Sequence, residues 1–272
     1  MRRMSFFWRA GLAMAIGSGV WAAPARGSDS VAEALMERVR LSMPEVPLEL
    51  EASLRVLDAH GRSMQTIRAA ALLTPREDGR TVRYTLFDAF GGVRGEMTAV
   101  LGDGPAEFAW AQGDPPQPAP LPDLFGPVEG SEISWMELSF SYFWWPHPRL
   151  VGTEQVANRW ECQIIEIDCP VEYRSAAAGG ANGDLAWSHI RLWVAPTYNA
   201  VVRGEAWRGG RAVKRFEVQS VKKLRRVYMI GDLEVRNLET GARARLKVGR
   251  MKMISPDYSP EELEEFNAPV EW

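Results

Sequence analysis

The sequence predicts a mainly β fold of the α+β class, with about 11–12 strands and three short helices. Three observations carry this expectation. Apolar and polar residues alternate with period two along most of the chain, as half-buried strands require. Gly, Pro, Asn and Asp interrupt those runs at near-regular spacing, which is the rhythm of an antiparallel meander. Helical spacing is confined to a few short stretches, each preceded by a Ser-x-x-Glu capping pattern.

The chain begins with a pattern of export. Arg2, Arg3 and Arg9 precede an uncharged apolar run from Ala10 to Ala23, and Ala23-Pro24-Ala25 supplies small residues for a signal peptidase. Cleavage is therefore expected near Ala25, leaving residues 26–272 as one domain. The apolar run would span only about 21 Å as a helix, short of a hydrocarbon core of about 30 Å. Arg2-Arg3 with Phe6 also resembles a twin-arginine signal, although two arginines suit any basic leader.

In the expected mature chain, Ser30-Val31-Ala32-Glu33 reads as a capping box, and Val31, Leu35, Val39 and Met43 follow at helical spacing up to Pro44. Leu48, Leu50, Ala52, Leu54 and Val56 then alternate with Glu49, Glu51, Ser53 and Arg55, which predicts a strand. Strand-like runs follow near 63–74, 80–90, 93–102 and 105–111, joined by turns at Glu77-Asp78-Gly79, Gly91-Gly92 and Gly102-Asp103-Gly104. Prolines at 115, 116, 118, 120 and 122 make Asp114–Pro122 a loop, or a proline-rich peptide ligand. A second capping box at Ser134–Glu137 opens an aromatic helix carrying Trp135, Leu138 and Tyr142, ended by Pro146. Strands resume near 150–157, 159–169, 187–195, 199–207, 211–221, 226–236 and 242–253, with a low-complexity loop at Ala176–Gly183. Ser259-Pro260-Glu261-Glu262 predicts the last helix.

Composition narrows the function classes. Of 272 residues, 46% are hydrophobic and 25% charged, which excludes a disordered or collagen-like chain. The formal charge of −3 becomes −6 once the three leader arginines are removed, so a nucleic-acid coat is excluded. Cys162 and Cys169 lie on one predicted strand about 23 Å apart, too far for a disulfide. His60, His147 and His189 have no ligand-spaced neighbours, so neither a metal nor a cofactor is expected, and no nucleophile or phosphate motif occurs. Lys222, Lys223, Arg225 and Arg226 form the densest basic cluster, which reads as a solvated strand edge.

The eleven tryptophans stand out, because Trp is large, rigid and amphipathic. Tyr84 and Leu86 share a face, as do Phe108 and Trp110, and as do Ile190, Leu192 and Val194. Two readings stay open: a barrel packed solid, or a sheet curved around a cavity.

The stretches His189–Asn199 and Trp207–Phe216, then Leu233–Asn237, Thr240-Gly241 and Tyr258–Phe266, resemble the periplasmic outer-membrane lipoprotein-sorting proteins of the LolA/LolB-like class. A Leu-Trp-hydrophobic strand leads through a turn to a second strand, a Gly-x-x-x-Lys hairpin follows, and an acidic helix ends before a Phe. Order and spacing agree over about residues 133–268, and depart at Arg243-Ala244-Arg245, where a Thr commonly follows the turn.

The resemblance implies an unclosed antiparallel barrel wrapped around short helices, with an apolar cavity for acyl chains of a lipoprotein or free lipid. It also implies a membrane-bound donor exporter and an outer-membrane acceptor, and no catalysis. A sixteen-carbon chain would gain on the order of 12 kcal/mol from such burial. The expected lining is Leu54, Tyr84, Leu86, Met97, Phe108, Trp110, Trp160, Trp193, Trp207, Phe216 and Met229, with Trp135 and Tyr142 on the covering helix. The alternatives are an envelope stress sensor of the same fold, a hydrolase using one of the three histidines, or a structural envelope protein.

Overall fold

The computed structural model describes residues 26–178, 186–224 and 227–253. The expected leader and the helix expected at Ser259 lie outside these residues.

Helix α1 (Arg26–Leu41) comes first. It starts before the sequence pattern suggests, so Ser30 and Glu33 lie inside it rather than at a cap. Ala32, Leu35, Met36 and Val39 are its buried stripe, whereas Val31 is exposed. Strands β1 (Leu48–Leu57), β2 (Ser63–Arg76), β3 (Gly79–Phe87), β4 (Val93–Gly102) and β5 (Glu107–Gln112) follow as a meander. A short strand β6 (Gln117–Ala119) occurs where the sequence reads as a proline loop. The correction has a simple cause: β6 is the last strand of the sheet, and Pro118 is tolerated on an edge.

The second meander runs through β7 (Arg149–Val156), β8 (Trp160–Asp168), β9 (His189–Ala195), β10 (Ala200–Arg208), β11 (Arg211–Leu224), β12 (Val227–Asn237) and β13 (Arg243–Met253). Helix α3 (Val171–Ala178) follows β8, where a loop is expected from Ala176. All thirteen strands belong to one antiparallel sheet, in the order β6-β5-β4-β3-β2-β1-β13-β12-β11-β10-β9-β8-β7. Among the described residues the first and last strands, β1 and β13, splice the two meanders through their shared ladder, while β6 and β7, successive in sequence, are the two edges of the sheet. The sheet is thus an unclosed barrel.

Residues 120–148 join those edges and pass through the concave side. Ser134 caps helix α2 (Trp135–Ser139) through a complete capping box with Glu137. The helix stops short of Tyr142 because Phe140 takes a left-handed conformation, and a 3-10 turn, Ser141–Phe143, continues. Glu137 is buried and meets Lys214 of β11 at 3.3 Å, and Lys214 also donates to the Glu132 carbonyl at 2.8 Å. Arg40 of α1 donates to the Phe143 carbonyl at 2.7 Å. The Lys214 contacts seat α2 against the sheet, and the Arg40 contact ties α1 to the turn that follows α2.

Two glycines allow aromatic rings to lie close to the sheet. A Cβ on Gly204 of β10 would come within 2.1 Å of the Phe216 ring, and one on Gly95 of β4 within 2.3 Å of the Trp110 ring. Cys162 and Cys169 are free and buried, one in each of two separate core clusters. Burial pushes their thiols up to about 11 and about 12 respectively, so both stay protonated near neutral pH.

Candidate functional site: an apolar cavity under the open sheet

On the concave side α1, α2 and the aromatic linker fill most of the hollow. Tyr142 is wholly buried and packs 5.9 Å from the Phe216 ring. Trp135 stands 6.2 Å from Tyr84 and 5.5 Å from Trp110. What is left is an apolar cavity of about 180 Å³, walled by β1, β2, β3, β10 to β13, the end of α1 and the aromatic linker.

The local sequence explains its position. Ala52 of β1 pairs with Ala69 of β2, Leu50 pairs with Ala71, and these alanines lie across from Leu86 and Tyr84 of β3. Small side chains on three inward positions leave the space that larger residues fill elsewhere. Val39 of α1 closes it with Met43 and Pro44 just beyond that helix, Leu138, Phe140 and Phe143 close it from the linker, and Val218, Ile230, Leu233, Leu246 and Val248 from the far strands. Tyr84 anchors the roof, its hydroxyl donating to the Leu138 carbonyl. Burial pushes that phenol well above its usual range, so it stays a neutral donor.

Of the residues expected to line the cavity, Leu54, Tyr84, Leu86, Phe216 and Met229 do so. Met97 is buried in the core, Phe108 and Trp110 pack against that core, and Trp135 and Tyr142 belong to the plug that narrows the cavity. Trp160, Trp193 and Trp207 require correction. Ile190, Leu192 and Val194 face the main core, so Trp193 between them faces the opposite, convex side, where it packs with Trp160, Val202 and Cys162. Its indole donates to Glu154 at 2.8 Å. Trp207 adjoins inward Ala206 and stacks on the convex side against His189, at 5.3 Å between ring centroids, and beneath the Arg191 guanidinium at 4.2 Å.

Beside this apolar cluster, the convex face carries a network of charged groups. Glu166 accepts from Arg149 at 2.9 Å and from Arg191 at 2.8 Å, and Arg149 also pairs with Asp168 at 2.8 Å. Burial works to raise the Glu166 carboxyl, but the hydrogen bonds from Arg191 and Arg149 outweigh it and hold the group below its usual range. His189 lies 3.6 Å from Glu166 and 3.1 Å from the Ser188 hydroxyl. That hydroxyl donates instead to the Trp207 carbonyl at 2.9 Å, and no part of the apolar cavity reaches the group. Lys222, expected on a solvated edge, is 4% exposed and donates to the Gly249 carbonyl at 3.3 Å. Its ammonium is pushed below its usual range by burial. Among the described residues, no group of three His, Cys, Asp or Glu is placed to hold a metal, and no helix is long and apolar enough to cross a membrane.

Three solved structures share this arrangement. A DUF1329 family protein from Desulfovibrio piger superposes with a TM-score of 0.66 at 13% identity, covering 87% of this chain and 99% of its own. An outer membrane lipoprotein-sorting protein domain from Vibrio parahaemolyticus gives 0.68 at 11%, covering 87% and 97%. A LolA superfamily protein from Nitrosomonas europaea gives 0.59 at 14%, covering 85% and 96%. The fold is LolA-like. No protein-family model and no curated protein matches the sequence. In this LolA-like sheet the sequence resemblance and the superposed structures agree on architecture, an open barrel around a helical plug.

Proposed function

We propose that this chain is an exported, periplasmic carrier that takes an acyl chain of a lipid or lipoprotein into the concave face of its sheet and moves it between inner and outer membrane. The observation that carries the reading is the apolar cavity, whose walls are almost wholly aliphatic and aromatic. The basic and then apolar start of the sequence supports export. The name borne by the Vibrio parahaemolyticus neighbour, a lipoprotein-sorting protein domain, supports the class of cargo.

Magnitudes sharpen the proposal. A dry cavity of about 150 Å³ accepts benzene, so 180 Å³ suits a hydrocarbon segment of about six carbons. At about 0.8 kcal/mol per methylene that segment gains roughly 5 kcal/mol before ordering costs, which corresponds to weak binding near the millimolar range. The full gain expected for sixteen carbons requires the remaining chain to leave the cavity along an apolar path or to displace the plug. A carrier benefits from this balance, because cargo held too tightly is not released.

The test is native mass spectrometry of the protein purified from a membrane-bearing host, with titration of a sixteen-carbon fatty acid into delipidated protein. Retained lipid, or saturable binding lost in Ala69→Phe, is expected. A wild-type protein that carries no lipid and binds no fatty acid overturns the reading.

A further inference from the structure

The sheet is one sheet, but it is not stitched along its whole height. Strands β10 and β11 pair from Arg203↔Glu217 to Arg208↔Arg211 and nowhere else. Ala200 and Val201 remain paired with β9, and Val218, Ser220 and Val221 with β12, so among the described residues the wall is split between β10 and β11 at this end. Such a split normally leaves exposed strand edges, which proteins tend to cover or pair.

On the outer side of the split lies a groove of about 300 Å³. It shares Tyr198, Ala200, Val218 and Tyr228 with the apolar cavity, so the two hollows meet at the split. The Tyr198 and Tyr228 rings stand edge to face at 5.6 Å where they join. The outer groove differs in chemistry, because Arg159, Gln219 and Ser220 also line it. The Arg159 guanidinium lies 3.8 Å over the Trp160 ring, and among the described residues no carboxylate pairs with it. A cation spread on an aromatic face and unmatched by an acid is set to receive an anion.

We infer that the split between β10 and β11 is a lateral portal, in which a single-chain lipid lies with its tail in the apolar cavity and an anionic headgroup at Arg159. This rests on the carrier reading and deepens it: the cargo is an amphiphile whose head carries negative charge. It also answers the shortage of space, since a chain too long for the cavity continues past Tyr198 and Tyr228 into the groove. A phosphodiester head and a free phosphate share the recognising chemistry, and only the first also places a tail inside.

The test compares three probes on delipidated full-length protein by calorimetry: a monoacyl phosphatidylglycerol, a monoacylglycerol with the same chain, and glycerol 3-phosphate. The wild-type protein is expected to bind the anionic lipid about fivefold tighter than the neutral one, and Arg159→Gln to erase that difference without weakening the neutral lipid. Equal loss for both lipids, no loss for either, or competition by glycerol 3-phosphate as strong as by the anionic lipid overturns the portal. The cavity variants Ala69→Phe and Ala52→Leu should weaken both lipids. If both variants fold and leave both lipids bound, the carrier reading itself fails, whatever Arg159→Gln does.

Discussion

Ala52 and Ala69 face each other across the β1–β2 ladder, and the apolar cavity begins where their side chains end. With Ala71 beside them, the hollow is therefore written in residues that are small, not in the large ones that surround it. Ala69→Phe should fill much of it. Binding of a sixteen-carbon fatty acid should fall below detection, while thermal stability rises by the equivalent of about 0.5–2 kcal/mol, the usual yield of filling a void without strain. Calorimetric titration and a melting curve check both halves.

Trp207 offers the contrasting case, because it stacks on His189 and Arg191 away from the cavity. Trp207→Ala should lower stability by about 1–3 kcal/mol through lost packing and leave lipid retention unchanged. Native mass spectrometry of the variant alongside wild type reads this, and loss of lipid from a folded Trp207→Ala protein would contradict the placement.

The pairing of Lys214 with buried Glu137 seats helix α2. Lys214→Met removes the cation and leaves the carboxylate stranded, at an expected cost of about 3–5 kcal/mol in urea unfolding. Removing the cap alone, in Ser134→Ala, should cost only about 1 kcal/mol. The order of the two losses is the informative quantity.

Stability should fall on the acid side in two stages. Burial chiefly holds the His189 imidazole below its usual range, so below about pH 6.5 the unfolded chain takes up a proton that the folded one resists. Glu166 and Asp168 are held low by arginine hydrogen bonds, and their stabilisation is lost as pH falls through the ordinary carboxylate range and below. Urea midpoints measured from pH 7.5 to 3 should show both stages, and His189→Gln should remove the first while keeping the second.

Much of the fold is legible in the sequence because period two and turn residues are local properties. The boundaries of β1, β4 and β13, the Ser134 capping box and the separation of Cys162 from Cys169 all follow from residues within a few positions of each other. Strand β6 escapes such reading, because Pro118 is acceptable only once the strand is known to be the sheet's edge. The facing of Trp193 was available in principle. Ile190, Leu192 and Val194 share one face, which commits Trp193 to the other, although an indole is large enough to fill a core.

The sequence alone thus determined the class of structure, the order of most of its elements and a chain rich in apolar faces, since each depends on contacts between near neighbours. Tertiary structure alone decided which face is concave, how far the linker at 120–148 plugs it, and where β10 and β11 part. A void and a split are properties of the space between strands distant in sequence, and no single segment records what its neighbours leave empty.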